Sequence, residues 1–447
     1  MFTFEEIAQI VGGTLLQGRG GRPAGIAHDS RCVKRGDLFV ALAGDRVDGH
    51  AYLGEAFSRG AYGALVADRE RAPAEAENLV VVDNVLSALQ TLARAWRERV
   101  SVPMVAITGT NGKTTTKSLL AHILSGDREA FTTPANYNTE IGVPLAMLAM
   151  PESADVGVFE FGTEAPGEIR DLARLFRPDA AVLTSIGPGH LASFGSIEAI
   201  AQEKWSLIEA LHPGAWGVIN ADVPELRLRA GGSGFEGTTA GFHHGSIRGR
   251  LIRAVPRVRI AVDALSLHAE TSLLGEHNAS NLLLACACAH RLGVASQIIE
   301  RQTASYTGVE HRLQLCSAAF GGVLDDTYNA NPASTRAALR VLAELGGKDT
   351  TRIFVFGTMF DLGERSFEDH VAIVETARAL GIDRVIPVGP EATAACTAAG
   401  GAECVYVNED RIGHWLRTAL DGTDNLVLIK GSRALHLDRL AETVVEP

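Results

Sequence analysis

Short apolar runs alternate with helical periods along the whole chain. In the first hundred residues, apolar positions recur at helical spacing over 5–11 and 85–99. Asp37-Leu38-Phe39-Val40-Ala41-Leu42 and Ala64-Leu65-Val66 read as short buried strands. This pattern predicts a small α/β unit over residues 1–100. Val102-Pro103-Met104-Val105-Ala106-Ile107 then forms a compact apolar run, followed by a glycine-containing loop and a helical pattern over 117–124. Further apolar runs end at Glu160, Ile186 and Asn220, with helical segments between them. Strand–helix alternation of this kind predicts a parallel sheet covered by helices on both faces. From about Leu313 the pattern restarts. Strand candidates cover 322–325, 352–356, 384–388, 404–407 and 425–429, again separated by helical stretches, which predicts a second, smaller doubly wound unit. The Gly/Ser/Thr-rich patch 231–241 reads as an exposed loop. The expected division is therefore 1–100, 101–312 and 313–447, an α/β protein in three parts.

Composition narrows the class. The chain has 447 residues, a formal net charge of −12, and 53 acidic against 41 basic side chains. A nucleic-acid or anionic-membrane binder needs a basic face, so neither partner is expected. No apolar run approaches the roughly 18 residues that span a bilayer. The opening MFTFEEIAQIVGG lacks the basic segment of a signal peptide, and the 6 cysteines are scattered. A reduced cytoplasmic protein, without membrane insertion and most simply a monomer, is the expectation.

Thr108-Gly109-Thr110-Asn111-Gly112-Lys113-Thr114-Thr115 carries the strongest chemistry. It follows a strand and opens a helix, where backbone N–H groups bind phosphate and glycines let the backbone approach it. Lys113 is placed to offset charge on the β- and γ-phosphates of a nucleoside triphosphate, and the Thr114 hydroxyl to ligate Mg²⁺. The glycines are closer together than in the commonest phosphate loop, since only Thr110 and Asn111 separate them. The bland alternative is a plain turn between strand and helix. Glu160 ends an apolar strand, where a metal-holding carboxylate is expected, although a solvated strand-end glutamate fits equally well. His190 lies in the loop after the next strand. Over 196–211 the inward stripe of a helix is marked by Ile200, Leu207, Ile208 and Leu211, and Lys204 falls on that stripe. A lysine there either has a buried partner or snorkels to pair with Glu203 or Glu209 at the surface. Cys286 and Cys288 are two apart on a helical pattern and point away from each other, so they read as core residues rather than metal ligands.

With these residues placed, the chain resembles the Mur ligase family over essentially its whole length. The resemblance is carried by His28-Asp29-Ser30-Arg31, by Asp48-Gly49-His50, and by the phosphate loop extended to Lys117. It continues through Asn136-Tyr137-Asn138-Thr139-Glu140, Phe159-Glu160-Phe161-Gly162, His190-Leu191 and His277-Asn278-Ala279-Ser280-Asn281. In the last third it rests on Arg312, Asp325-Asp326-Thr327-Tyr328-Asn329-Ala330-Asn331-Pro332 and Lys430-Gly431-Ser432-Arg433. Within the family the chain looks like the dipeptide-adding branch, because the Asp-Asn-Pro-Arg string of diamino-acid-adding members is absent.

The resemblance implies a three-domain architecture: a UDP-sugar unit, a central phosphate-loop unit and a C-terminal Rossmann-like unit for the incoming amine. It implies an ATP-dependent ligase that joins D-alanyl-D-alanine to UDP-N-acetylmuramoyl-tripeptide in peptidoglycan precursor synthesis, with ATP and Mg²⁺. Ser30 and Arg31 are then expected near the UDP moiety, and Asn136, Asn138, Thr139, Asn329, Asn331 and Ser432 around substrate. Thr114 and Glu160 are expected to hold one Mg²⁺. His190 and Lys204, the latter carbamylated by CO₂, would help hold a second. The resemblance places Asn281 at adenine, Asp326 at the ribose and Arg312 at the γ-phosphate. Lys113, Asn138, His190, Lys204 and Arg312 are the expected catalytic set. Two positions depart from the family: Ser206 stands where a glutamate is common after the special lysine, and Thr358-Met359-Phe360-Asp361 replaces an acidic pattern. Two alternatives stay open: a related ligase that adds a single amino acid, and a phosphate-loop switch that ligates nothing.

Overall fold

Three mainly parallel sheets follow one another along the chain in a computed structural model. It describes all residues except Asp45, Arg46, Ala135, Asn136, His190, Ser233, Ala402, Asp421, Thr423, Glu446, Pro447 and the side chain of Ala192. The N-terminal sheet runs, in spatial order, Thr14–Leu16, Leu79–Val81, Gly63–Val66, Leu38–Val40 and Ile26–Ala27, and only its first pairing is antiparallel. Its opening helix, Phe4–Val11, begins with a capping box between Thr3 and Glu6, which satisfies two otherwise orphaned amide donors.

The central sheet has seven parallel strands. Met104–Thr108 lies between Val156–Glu160 and Ala180–Leu183, the point where strand order reverses. Ligand crevices form at such a reversal, beyond the carboxyl ends of the strands. The helix after Met104–Thr108 is Lys113–Leu124, one turn earlier than the apolar period suggests, because its first turn is Lys-Thr-Thr-Thr rather than apolar. The helix predicted over 196–211 is Ile197–Glu209, capped by the Ser196 side chain on the Ala199 amide.

Two expectations need correction. The patch 231–241 is not an exposed loop: Pro224–Gly232 is helical, and Gly237–Gly241 is a strand parallel to Trp216–Asn220. A β-carbon on Gly237 would come within 2.3 Å of both the Gly217 carbonyl and the Phe235 ring. Glycine is therefore what lets Phe235 lie across these strands. The 404–407 run is likewise not a strand but a single bridge from Cys404 to Val385. A further sheet, Arg250–Arg253, Val258–Val262 and Leu267–Thr271, is antiparallel and has no counterpart in the sequence reading.

The C-terminal sheet orders Gln314–Ala318, Gly321–Asp325, Asn425–Lys430, Thr351–Gly357 and Arg384–Val388, parallel after an antiparallel first pair. Each of its faces has its own apolar cluster. The N-terminal and central units are not separate in this way. Phe4, Leu89, Leu92 and Trp96 share one cluster with Val143, Met147, Phe159 and Phe176, and the Trp96 indole donates to the Met150 carbonyl at 3.0 Å.

Candidate active site

The carboxyl end of Met104–Thr108 turns sharply into a loop that only glycine allows at two places. Gly109 has φ +150° and Gly112 φ +84°. A β-carbon would meet the Thr184 hydroxyl at 2.1 Å in the first case and the Asn281 amide oxygen at 2.3 Å in the second. The neighbouring strand end holds the loop in shape. The Thr110 amide donates to the Ser185 carbonyl at 2.8 Å, the Asn111 amide to the Ser185 hydroxyl at 2.8 Å, and the Thr184 hydroxyl to the Asn111 carbonyl at 2.6 Å. Gly112 caps the following helix without a side chain, so no side-chain cap covers the helix N-terminus that faces the crevice. This is the arrangement that binds phosphate.

Lys113 folds back over this loop and donates to the carbonyls of Gly109 at 2.8 Å and Thr110 at 3.2 Å. Burial lowers the pKa of its ammonium, Glu160 opposes that shift, and Arg312 adds to it. The Thr114 hydroxyl donates to Glu160 Oε2 at 2.9 Å, while Asn138 Nδ2 donates to Glu160 Oε1 at 3.0 Å. Both carboxylate oxygens are thus oriented, and Glu160 is buried. A hydroxyl beside a fixed carboxylate is an all-oxygen donor pair. It suits Mg²⁺, which takes one or two carboxylates and completes its shell with phosphate and water. Among the described residues no three His, Cys, Asp or Glu side chains cluster as a metal cage.

Arg312, at the junction with the third unit, and residues of the third unit close on this loop. Arg312 Nη2 donates to the Thr114 hydroxyl at 3.2 Å, and its guanidinium stacks 3.6 Å from the centre of the Tyr328 ring. Asn331 Nδ2 donates to Asn111 Oδ1 at 2.8 Å. Lys430, at the end of Asn425–Lys430, is buried against Asp326 at 2.6 Å and the Asn329 carbonyl at 2.8 Å. Together these residues line one cleft of about 490 Å³.

Lys204 lines the same cleft and is 4 % exposed. Among the described residues its amine has no hydrogen bond or ion pair. Burial, reinforced by Lys113, lowers its pKa to about 7. The two surface partners weighed for it are occupied elsewhere. Glu203 accepts from the amides of Gly167 at 2.7 Å and Ile169 at 2.9 Å, and Glu209 pairs with Arg170 at 2.7 Å. The snorkelling alternative is therefore overturned: the helix turns Lys204 inward.

The cleft gathers Gly109, Thr110, Asn111, Gly112, Lys113, Thr114, Thr115, Asn138, Thr139, Glu160, Lys204, Asn281, Arg312, Asp326, Asn329 and Asn331. Other candidates use their side chains elsewhere. The Thr108 hydroxyl is buried on the Phe161 carbonyl at 2.8 Å, and Ser432 accepts from the Phe360 amide at 2.8 Å. Ser30 donates to Glu55 at 2.8 Å in the N-terminal unit, and Arg31 pairs with Asp29 at its surface. Neither is brought to the cleft. Asn136 and His190 lie outside the described residues. Thr184, Ser185 and Lys430 were given no role in the sequence reading. Thr184 and Ser185 are signalled only by their place at the carboxyl end of an apolar strand, whereas Lys430 opens the motif Lys430-Gly431-Ser432-Arg433.

Family comparisons agree in all three parts. Residues 23–97 match the Mur ligase family catalytic domain, 107–289 the Mur ligase middle domain, and 311–433 the Mur ligase glutamate ligase domain. The chain belongs to the Mur ligase family. Among its relatives is the UDP-N-acetylmuramoyl-tripeptide–D-alanyl-D-alanine ligase of Bacillus subtilis, 30% identical over 99% of this chain and 98% of that one. The ligase of the same name from Escherichia coli is 32% identical over the same shares. Among solved structures, MurF from Acinetobacter baumannii superposes with a TM-score of 0.87 at 28% identity, covering 99% of this chain and 98% of that one. MurF from Thermotoga maritima in complex with ADP gives 0.82 at 28% identity, covering 94% and 96%.

Proposed function

We propose that this chain joins D-alanyl-D-alanine to UDP-N-acetylmuramoyl-tripeptide with hydrolysis of ATP, in peptidoglycan precursor synthesis. One observation carries the reading. The phosphate loop, the Thr114–Glu160 pair, Arg312 at the junction of the second and third units, and Asn331 of the third meet in a single cleft. Full-length similarity to ligases of that name supports the choice of substrates.

A carboxylate is a poor acyl donor, because its leaving group would be oxide. Attack of the peptide carboxylate on the γ-phosphorus breaks its bond to the bridging oxygen, releases ADP and makes an acyl phosphate. The amine of the dipeptide then attacks the carbonyl carbon, the C–N bond forms, the C–O bond to phosphate breaks, and the amine proton leaves. The protein must bring two anions together and exclude water. Lys113 leaves the loop carbonyls for the β- and γ-phosphates, and Arg312 meets the γ-phosphate as charge moves onto it. Asn281 faces adenine and Asp326, steadied by Lys430, the ribose. Thr114 and Glu160 would hold Mg²⁺, which supplies charge neutralisation on the phosphates when bound. Lys204 is proposed to act as a carbamate, formed from its neutral amine and CO₂ with loss of one proton. With His190 it would help hold a second ion. Asn138, Thr139, Asn329 and Asn331 shape the meeting place of acyl donor and amine, with Ser30, Arg31 and Asn136 on the UDP-peptide side and Ser432 behind the Phe360 loop. A cytoplasmic location follows from the nucleotide substrates. No helix among the described residues is long and apolar enough to cross a membrane.

The test is phosphate release from ATP in the presence of each substrate alone and of both together. Release that requires UDP-N-acetylmuramoyl-tripeptide and D-alanyl-D-alanine together is expected. Release that ignores both would identify a nucleotide switch instead. Release supported by single amino acids would identify a relative with a different acceptor.

A further inference from the structure

One buried cation beside the cleft has no part in the chemistry above. Lys117 lies one turn beyond Lys113, at i+4 on the same helical face. Where Lys113 reaches the phosphate loop, Lys117 reaches the other way. Its Nζ donates to the Thr133 carbonyl at 2.7 Å and to the Thr133 hydroxyl at 3.1 Å. It also stands 4.0 Å from Glu160 Oε2, and both side chains are almost fully buried. Among the described residues it is the one basic side chain within that distance of Glu160. Thr133 belongs to the same clasp, since its hydroxyl accepts from the Glu160 amide at 3.5 Å.

A buried carboxylate is costly without a partner charge and oriented donors to fix it. Thr114 and Asn138 supply the donors, and both are neutral. Lys117 supplies the charge from the side away from the phosphate loop, anchored to a backbone carbonyl that does not depend on ligand. We infer that Lys117 is a positioning residue: it holds the Glu160 carboxylate in place and aimed at Thr114 before nucleotide arrives, so that Mg²⁺ binds a ready-made pair. This inference rests on the proposed role of Glu160 at the metal.

Calorimetric titration of the full chain with ADP, with and without Mg²⁺, separates the possibilities. In the unsubstituted protein Mg²⁺ is expected to tighten ADP binding. Lys117→Met should remove about tenfold of that gain, the order of one charge-assisted contact, while ADP binding without Mg²⁺ stays within about twofold. Lys117→Gln keeps a donor for Thr133 and removes the charge, so it should lose the gain as well and covers the case in which the methionine variant does not fold. If Lys117→Gln keeps the full gain, the lysine only caps a carbonyl and the inference falls. In a Glu160→Gln background, Lys117→Met should cause no further loss of the gain. A full additional loss would mean that Lys117 does not act through Glu160. If Glu160→Gln itself keeps the gain, the metal role of Glu160 fails. If Glu160→Gln loses the gain while Lys117→Met keeps it, only the role of Lys117 fails.

Discussion

At the scale of single residues, the cleft is built from cations that the protein has not fully neutralised. Lys113 rests on two loop carbonyls, and those hydrogen bonds are exchangeable for phosphate oxygens. Lys113→Ala should leave the thermal midpoint within a few degrees and reduce ligation by about a thousandfold, because such side chains stabilise a transferring phosphoryl group rather than the fold. Near-normal turnover by the folded variant would remove the phosphate-loop assignment.

Lys204 gives a sign-specific expectation. Its pKa is lowered from 10.5 to about 7 in the folded protein. Between those values the unfolded chain binds a proton that the folded chain does not. Stability attributable to this site therefore rises with pH across that window, by up to about 1.4 kcal/mol per unit. In CO₂-free buffer Lys204→Met should be more stable than the unsubstituted protein near pH 7, and the difference should vanish as pH approaches 10.5. Denaturant midpoints at several pH values measure it, and a pH-independent difference would count against the buried neutral amine. The stripe of Ile200, Leu207 and Ile208 puts Lys204 on the inward face but does not by itself separate a buried amine from one that snorkels outward. The loss of its surface partners was not legible, because Glu203 is claimed by amides of Gly167 and Ile169, thirty-odd residues away in sequence.

At the scale of elements, the strand–loop–helix unit is specified by its glycines. Gly112→Ala combines a positive φ with a clash against Asn281. Adopting that backbone costs about 1 kcal/mol for alanine before any clash is relieved. The expected result is ATP affinity reduced at least about tenfold with the central sheet intact, read by nucleotide titration and circular dichroism. Unchanged affinity would show that the loop adapts. This unit was legible because its signals are local: an apolar run, two glycines, and a lysine at the helix start. The strand Gly237–Gly241 was not. Its sequence, Gly-Thr-Thr-Ala-Gly, has little strand propensity, and it exists because Trp216–Asn220 offers an open edge and Phe235 covers the glycines. The antiparallel sheet from Arg250 to Thr271 was missed although local signal was present: Val258–Val262 is buried at four of its five positions, and Leu267–Thr271 alternates between buried and more exposed residues.

At the scale of the whole molecule, one side chain joins a helix start to a neighbouring unit. Asn331 accepts from the Ser334 amide as a helix cap and donates to Asn111 in the phosphate loop. Asn331→Ser keeps a capping oxygen but is too short to reach Asn111. Stability should change by less than about 1 kcal/mol, while kcat falls about tenfold or more as alignment between the units loosens. A loss of stability with kcat unchanged would mean that the contact serves only the helix.

The apolar cluster shared by the first two units has a further consequence, for how the molecule comes apart. Trp96 and Leu92 are core residues of a body that also contains Val143 and Phe176, whereas the clusters on the two faces of the last unit's sheet take in only Leu274 from the central unit, with Val255 packed against it. Cooperative melting follows shared cores rather than chain order. Calorimetry should therefore resolve two heat-absorption events and not three. A fragment cut at residue 100 should expose the ring of Trp96 and aggregate, while one cut at 312 should stay in solution. Three units of the chain make two melting units, and the seam between them lies after the second.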